Sequence, residues 1–343
     1  EEAAKVLSTV DIDLVICMPG NADNDAFDVA RAVKAEFPGI HCVVLTPFSH
    51  GITQRIQHED LSIFDYVFCW LGNTNLILSI IKLMEDKMNI DHDIREVGVQ
   101  MILLVEDSIR FYSSILPNLY GYILTQSRNF ATEALTRHDA SLRQRGRPKV
   151  VLARTYDEAW EIYQRYKDNC LGVISDVRFP INNNVERKEK TSAKDPEAGL
   201  KLLRAIRKED EYLPLIIESS EGDNRKKAEA EGFRFVDKNS KKMSVDLRHL
   251  LEEHMGFGDF IFRDPRTHEE VMRIRSLKEL QDNIFQIPRD SMLYHISRNH
   301  VSRWLSARAI FPVSSFLKGI TWHKLQDVDM HRQIIFDAIV AYR

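Results

Sequence analysis

Three acids in this chain stand directly behind short apolar runs. Asp176 closes Gly172-Val173-Ile174-Ser175, and Glu106-Asp107 close Met101-Ile102-Leu103-Leu104-Val105. If the two runs are neighbouring parallel strands, the three carboxylates meet at one edge of a sheet. Carboxylates held that close repel one another unless a cation neutralises them. An all-oxygen site of this kind suits Mg²⁺, which binds through few carboxylates and keeps water and phosphate oxygens as its other ligands. Two later runs supply what phosphoryl chemistry still needs. Ser219-Ser220 follow one of them, with a hydroxyl able to hydrogen-bond a phosphoryl oxygen, and Lys238 follows the other as a compact cation for phosphoryl charge. In chain order these give a metal, an anion clamp and, in Asp176, a nucleophile for in-line transfer. Singly each is weak, since a strand-end acid is often only solvated and a lone lysine usually lies on the surface. Their joint occurrence in order carries the reading.

The elements that must position these groups follow from apolar periodicity. Strands are expected at 101–105, 149–153, 171–175, 213–218 and 233–236, alternating with helices at 156–166, 197–207, 225–231 and about 244–254. That is a (βα)5 order, which implies a parallel sheet with ligands outside the carboxyl ends of its strands. The upstream part repeats the pattern incompletely. After the end of a helix at 1–10 come strands at 13–17, 41–45 and 65–69, with helices at 26–36 and about 75–87. Leu14-Val15-Ile16-Cys17 matches Gly172-Val173-Ile174-Ser175, and residues 41–46 match 214–219, so the first repeat lacks its first two strands. A sheet so truncated exposes strand edges, to be covered by residues upstream or by another chain. The opening at Glu1, with no initiating Met, suggests a fragment.

The remaining segments are less specific. Residues 108–148 exceed one helix with short loops and carry Tyr112, Ile115, Leu116, Leu119, Ile123, Phe130 and Leu135 at near-helical spacing; core packing is the simpler reading, a partner or dimer helix the alternative, and Pro117 is placed to kink it. Residues 182–195, polar and rich in Asn, Lys and Glu, read as a mobile loop beside the acids. Beyond His254 a hairpin is expected at 258–263 and 271–275 around Asp264-Pro265-Arg266-Thr267, then helices from Leu277, Ser291 and Ser314 onward. His295 and His300 fit packing or hydrogen bonding within that helical segment better than a phosphorelay role. The cysteines Cys17, Cys42, Cys69 and Cys170 lie in or at the ends of apolar runs without metal-ligand spacing and read as core thiols. A net charge of −4 over 343 residues gives no basic field for nucleic acid or an anionic membrane, and no apolar stretch nears the length of a membrane span, so a cytoplasmic protein is expected.

Ile102-Leu103-Leu104-Val105-Glu106-Asp107-Ser108, Val173-Ile174-Ser175-Asp176 and Phe235-Val236-Asp237-Lys238 resemble the receiver domain of two-component response regulators over residues 100–255. The resemblance implies a flavodoxin-like (βα)5 fold with Asp176 as phosphoacceptor. It also implies Mg²⁺ held by Asp107, Asp176 and the main-chain carbonyl of Arg178, with Glu106 acting through water. Ser219 is then the switch hydroxyl, Lys238 the phosphoryl-binding lysine and Phe235 the switch aromatic. Asn239 departs from the proline usual after the lysine, and residues 182–195 lengthen the loop after the acceptor. Residues 1–88 resemble a degenerate receiver lacking its first strands: Met18 stands at the phosphoacceptor position and Cys69 at the lysine position, while Thr46 remains. A thioether can neither accept a phosphoryl group nor bind Mg²⁺. Asp23 and Asp25 precede a helix and read as caps or solvated acids. Residues 258–263 and 295–305 are similar to the region joining a receiver to a pyruvate-phosphate-dikinase-like nucleotide-binding domain in some bacterial proteins.

The expected architecture is therefore α/β: a degenerate receiver-like unit at 1–88, a linker at 89–99, an intact receiver at 100–255, and a mainly helical segment with a hairpin at 256–343. The expected function is a phosphorelay response regulator, phosphorylated at Asp176 by a histidine kinase or phosphotransfer protein. A homodimer and a downstream dikinase-like domain in the full-length protein are further expected partners; a membrane and nucleic acid are not. The competing reading is a scaffold or dimerisation module that never turns over phosphate. A haloacid-dehalogenase-like phosphatase ranks below both, because Arg178 stands where it needs a second aspartate.

Overall fold

A computed structural model describes residues 2–19, 26–47, 63–182, 194–325 and 327–343. Asp23 and Asp25, and most of the expected loop at 182–195, lie outside the described residues.

The larger sheet is built from β4 (Met101–Val105), β5 (Lys149–Ala153), β6 (Cys170–Asp176), β7 (Leu215–Ser219) and β8 (Arg234–Asp237). They pair in the order β5-β4-β6-β7-β8, all parallel, the flavodoxin-like arrangement. Parallel strands buried on both faces must be apolar on both, and these are. In β4, Met101, Leu103 and Val105 join one core with Tyr163 of α6 (Tyr156–Tyr166) and Leu203 of α7 (Ala198–Glu209). Ile102 and Leu104 face the other way and join Leu119 of α4 (Ile109–Thr132) and Leu251 of α9 (Met243–His254). Between β7 and β8 runs α8 (Asp223–Ala230).

The upstream unit holds a three-stranded parallel sheet, β1 (Leu14–Cys17), β2 (His41–Pro47) and β3 (Tyr66–Trp70), paired in that order. Its helices are α1 (Glu2–Leu7), α2 (Ala26–Glu36) and α3 (Asn75–Val97). The three strands fall where the sequence puts them, and β1 is a sheet edge whose Leu14, Val15 and Ile16 are only half buried. One helix differs: α3 continues to Val97, so residues 89–97 are helical where a linker was expected, and it ends on Gly98 in the left-handed conformation (φ 81°).

The long segment after β4 divides at residues 133–136 into α4 and α5 (Arg137–Arg145), with Thr136 capping α5 by accepting from the Asp139 amide at 3.1 Å. Pro117 lies inside α4. α4 is a core helix for both sheets. Tyr112, Leu116 and Leu119 share one apolar cluster with Val43, Leu45 and Phe68 of the small sheet and Ile102 and Leu104 of the large one. The Tyr112 ring meets Phe68 edge-on at 5.4 Å, the Tyr112 hydroxyl donates to the Val67 carbonyl, and the Cys69 amide donates to Ser113 Oγ at 2.9 Å. Asp86 of α3, fully buried, takes the Arg147 guanidinium at 2.7 Å and 3.0 Å, the Val150 amide at 2.9 Å and the Tyr120 hydroxyl at 2.8 Å.

The C-terminal segment opens on the antiparallel hairpin β9 (Phe260–Arg263) and β10 (Glu270–Ile274). Its helices are α10 (Leu277–Asn283), α11 (Arg289–Ile296), α12 (His300–Ala307), α13 (Phe311–Lys318) and α14 (Val328–Tyr342). They enclose a separate core around Phe262, Ile284, Leu305 and Ile335. Arg308 ties this segment to the end of α9 by donating to the Gly256 and Gly258 carbonyls at 2.5 Å and 2.8 Å. All four cysteines are free and buried, as core thiols should be, and burial pushes the Cys17 and Cys170 thiols up to about 11 and about 12. Among the described residues no helix is long and apolar enough to cross a membrane.

Candidate functional site

Strand order reverses at β4, whose successor β5 lies on one side while β6 lies on the other. The crevice outside the carboxyl ends of β4 and β6 is thus the switch point of this sheet, where open α/β sheets take their ligands. Glu106 and Asp107 follow the last residue of β4, and Asp176 is the last residue of β6. Carboxylate oxygens of Glu106, Asp107 and Asp176 all lie within 4.8 Å of one another. The sequence expectation that these acids converge is met by the register of the two strands.

Lys238, from the turn after β8, reaches across the sheet edge and is almost wholly enclosed. Its Nζ pairs with Glu106 Oε2, lies 2.8 Å from Asp176 Oδ1 and 4.0 Å from Glu218 Oε1, and sits 4.5 Å from the centre of the Phe111 ring. Burial alone would pull its pKa down, yet Glu218, Glu106 and Asp176 outweigh that and hold it above the ordinary lysine value. Glu106 and Asp107 are shifted upward as well, which for them favours the neutral form. Burial, reinforced by Glu218 and Asp176 and opposed by Lys238, raises Glu106 to about 8. Glu106 Oε1 also accepts the Ser108 amide at 2.8 Å. Burial raises Asp107 as well, against the hydrogen bond it accepts from Lys194 Nζ at 2.6 Å. Side chains of Asp176 and Asp107 are 15% and 13% exposed, whereas that of Glu106 is wholly covered, so the site opens to solvent over the two aspartates.

Four carboxylates here face two ammonium groups, and the balance leaves acceptors unmatched. Asp107 Oδ1 is buried with no hydrogen-bond partner among the described residues, and so is Glu218 Oε1. A buried carboxylate oxygen without a donor, beside two further carboxylates within bridging distance, fits a bound cation. Among the described residues no backbone amide donates to the Arg178 carbonyl, although the carbonyls on either side, of Val177 and Phe179, accept from Gly199 and Asp195. The Arg178 side chain is exposed and turns toward Glu221 at 3.9 Å, and its amide lies 3.4 Å from Asp176 Oδ2.

Ser219 ends β7, next to the Asp176–Glu218 register pair. Its Oγ accepts from the Glu221 amide at 3.1 Å and Asn224 Nδ2 at 3.0 Å, a local turn that fixes the hydroxyl at the start of α8. Phe235 is half buried, with the Arg225 guanidinium 4.6 Å from its ring centre. Neither takes part in the carboxylate–lysine cluster. Gly199 is required by close approach: a Cβ there would lie 1.9 Å from the Asp176 carbonyl oxygen, so α7 can start against the end of β6 only with glycine.

The upstream unit offers no such cluster among its described residues. Met18 is exposed, and Thr46 and Cys69 are buried.

Two groups in the site were not read from the sequence as parts of it. Glu218 carried a signal, being a charged residue inside an apolar strand one position before the expected hydroxyl. Lys194 carried none, because it belongs to a long polar segment whose position depends on tertiary structure. No protein-family model matches this chain. No curated protein matches it either.

Proposed function

We propose that this chain works as a receiver in a phosphorelay, with Asp176 accepting a phosphoryl group from a histidine kinase or phosphotransfer protein. The observation that carries the reading is the enclosed set of Glu106, Asp107 and Asp176 with Lys238 at the switch point of a flavodoxin-like parallel sheet. Glu106, Asp107 and Asp176, with the main-chain carbonyl of Arg178, would hold Mg²⁺. When bound, that ion would neutralise charge on the transferring oxygens.

The residues divide the remaining work. An Asp176 carboxylate oxygen attacks phosphorus in line. The new P–O bond forms as the P–N bond to the donor imidazole breaks, and the bonding pair returns to that nitrogen, leaving an acyl phosphate on Asp176. Lys238, already 2.8 Å from Asp176 Oδ1, supplies positive charge beside the added oxygens. The new dianion competes with Glu106 for the same ammonium, and that competition is the means by which phosphorylation loosens the Lys238 turn and the adjoining ends of β7 and β8. Ser219 and Phe235 lie on those two strands, as a switch would need. The upstream unit serves as a structural partner, since α4 is core for both sheets and Met18 occupies the equivalent acceptor position.

Incubating the chain with acetyl phosphate and Mg²⁺ tests the proposal. One hydroxylamine-sensitive phosphoryl group is expected by intact mass, absent in Asp176→Asn. Full labelling of Asp176→Asn would overturn it. A wild-type chain that takes no phosphoryl group and binds no beryllofluoride would favour the scaffold reading.

A further inference from the structure

A second polar recess opens at the other end of the large sheet. A cleft of about 580 Å³ lies between the amino-terminal ends of β7 and β8, the end of α9, the β9–β10 hairpin and α11–α12. Leu215 lines it while Ser219 closes the same strand, so the cleft lies about 13 Å from the candidate phosphoryl site along β7.

Five arginines line its wall against four acids, and two of the five are unsatisfied. Among the described residues, the guanidinium groups of Arg303 and Arg234 have no partner at hydrogen-bond or ion-pair distance, and burial, opposed by the longer-range charge of Asp210, lowers the pKa of Arg303. Arg298 is held against two rings, 4.1 Å from the centre of Tyr294 and 5.1 Å from that of Tyr212, and donates through Nη1 to the Tyr294 carbonyl at 3.2 Å. The acids at the rim are largely engaged elsewhere: Glu253 with Arg263 at 3.4 Å, Asp259 with Arg273 at 3.3 Å, and Glu252 with the Tyr122 hydroxyl at 3.1 Å.

Histidines complete the wall, and the hydrogen-bond network assigns their protons. The Arg263 amide donates to His295 Nε2 at 3.0 Å, which leaves the proton of neutral His295 on Nδ1. That Nδ1 lies 3.0 Å from His300 Nδ1, which must then accept. The proton of His300 is therefore on Nε2, a donor with no partner among the described residues. Burial and then the neighbouring arginines push His295 down to about 4 and His300 to about 2, so both rings are neutral at physiological pH.

We propose that this cleft binds the phosphate group of a small phosphorylated molecule, with Arg234, Arg298 and Arg303 as cations and His300 Nε2 as a neutral donor. The donors come from β8, from the α11–α12 turn and from α12, and so approach from separate directions. A tetrahedral phosphate, with several oxygens, accepts from all of them, whereas a planar carboxylate satisfies a single guanidinium fork. The volume leaves room for a sugar or a base beside the phosphate. A ligand seated here would touch both the large sheet and the C-terminal helices and fix one against the other.

Calorimetric titration of the whole chain without Mg²⁺ tests this, using AMP, ribose 5-phosphate, inorganic phosphate and adenosine. At least one of the three phosphate compounds should bind and adenosine should not; which one binds tightest identifies the source of the phosphate. Arg303→Met and Arg234→Ala should each weaken binding by roughly tenfold or more, as loss of a charge-assisted contact does. Arg234 is an exposed strand residue whose variant should melt like the wild type, so it decides the matter even if Arg303→Met does not fold. Asp176→Asn should bind as the wild type does, and the His300 Nε2 resonance should move on ligand addition. No binding by any phosphate compound, equal binding of adenosine, or undiminished binding in the arginine variants would overturn the proposal.

Discussion

Replacing Glu218 by Gln should flatten the pH dependence of stability. Glu218 is 1% exposed on β7, with one carboxylate oxygen lacking a partner among the described residues. Burial, opposed by Lys238 and reinforced by Asp176, raises its pKa from an ordinary 4.5 to about 7. An acid whose folded pKa lies above its unfolded value holds its proton more tightly in the native state. The stability it contributes is therefore complete below about 4.5 and is lost as pH rises through about 7. Glu106, raised to about 8, acts in the same direction. Lys238 is raised above the ordinary lysine value, so its contribution is constant across this window and does not bend the curve. The Glu218 shift corresponds to roughly 3 kcal/mol lost by about pH 8. Glu106 and Glu218 face one ammonium and give up their protons in linked steps, so Glu218→Gln should recover about 1–3 kcal/mol of it. Urea unfolding of both proteins between about pH 4 and pH 8 measures this. The variant should be the more stable of the two at the alkaline end and indistinguishable at the acid end. Parallel curves, or a variant less stable at the alkaline end, would refute the reasoning.

Three further outcomes are expected. Lys194→Ala frees Asp107 of a partly exposed partner 2.6 Å away and should tighten Mg²⁺ binding about two- to five-fold by calorimetry. Gly199→Ala forces a Cβ toward the Asp176 carbonyl; it should cost about 1–3 kcal/mol in thermal unfolding and slow labelling by acetyl phosphate. Asp86→Ala leaves the buried Arg147 guanidinium with only the more exposed Glu85, 3.7 Å away, as counter-charge and should lower stability by about 3–5 kcal/mol in urea, while labelling of the folded fraction persists.

Much of the fold was legible because its signals are local. Short apolar runs closed by acids marked β4 and β6, and β4 through β8 fall close to their expected places. Boundaries moved where the chain gives no local stop. The helix expected at about 75–87 continues to Val97, because nothing before Gly98 interrupts it. The long segment at 108–148 breaks where Thr136 can cap a new helix. The apolar spacing along α4 was visible, but not that one helix would be core to two sheets.

By itself the sequence determined which residues could do chemistry at the strand ends and that Met18, where the first repeat aligns with Asp176, carries no carboxylate. Tertiary structure decided what each group faces. Strand order puts Asp176 beside Glu106 and Asp107, and the turn after β8 carries Lys238 into that cluster. The same folding brings Glu218 and Lys194 into the site and puts Arg234, Arg298, Arg303 and His300 on the wall of one cleft at the opposite end of the sheet. The reason is physical. Whether a run becomes a strand depends on neighbours along the chain, whereas the charge, burial and hydrogen bonding of a side chain depend on segments that meet only after the sheet has formed.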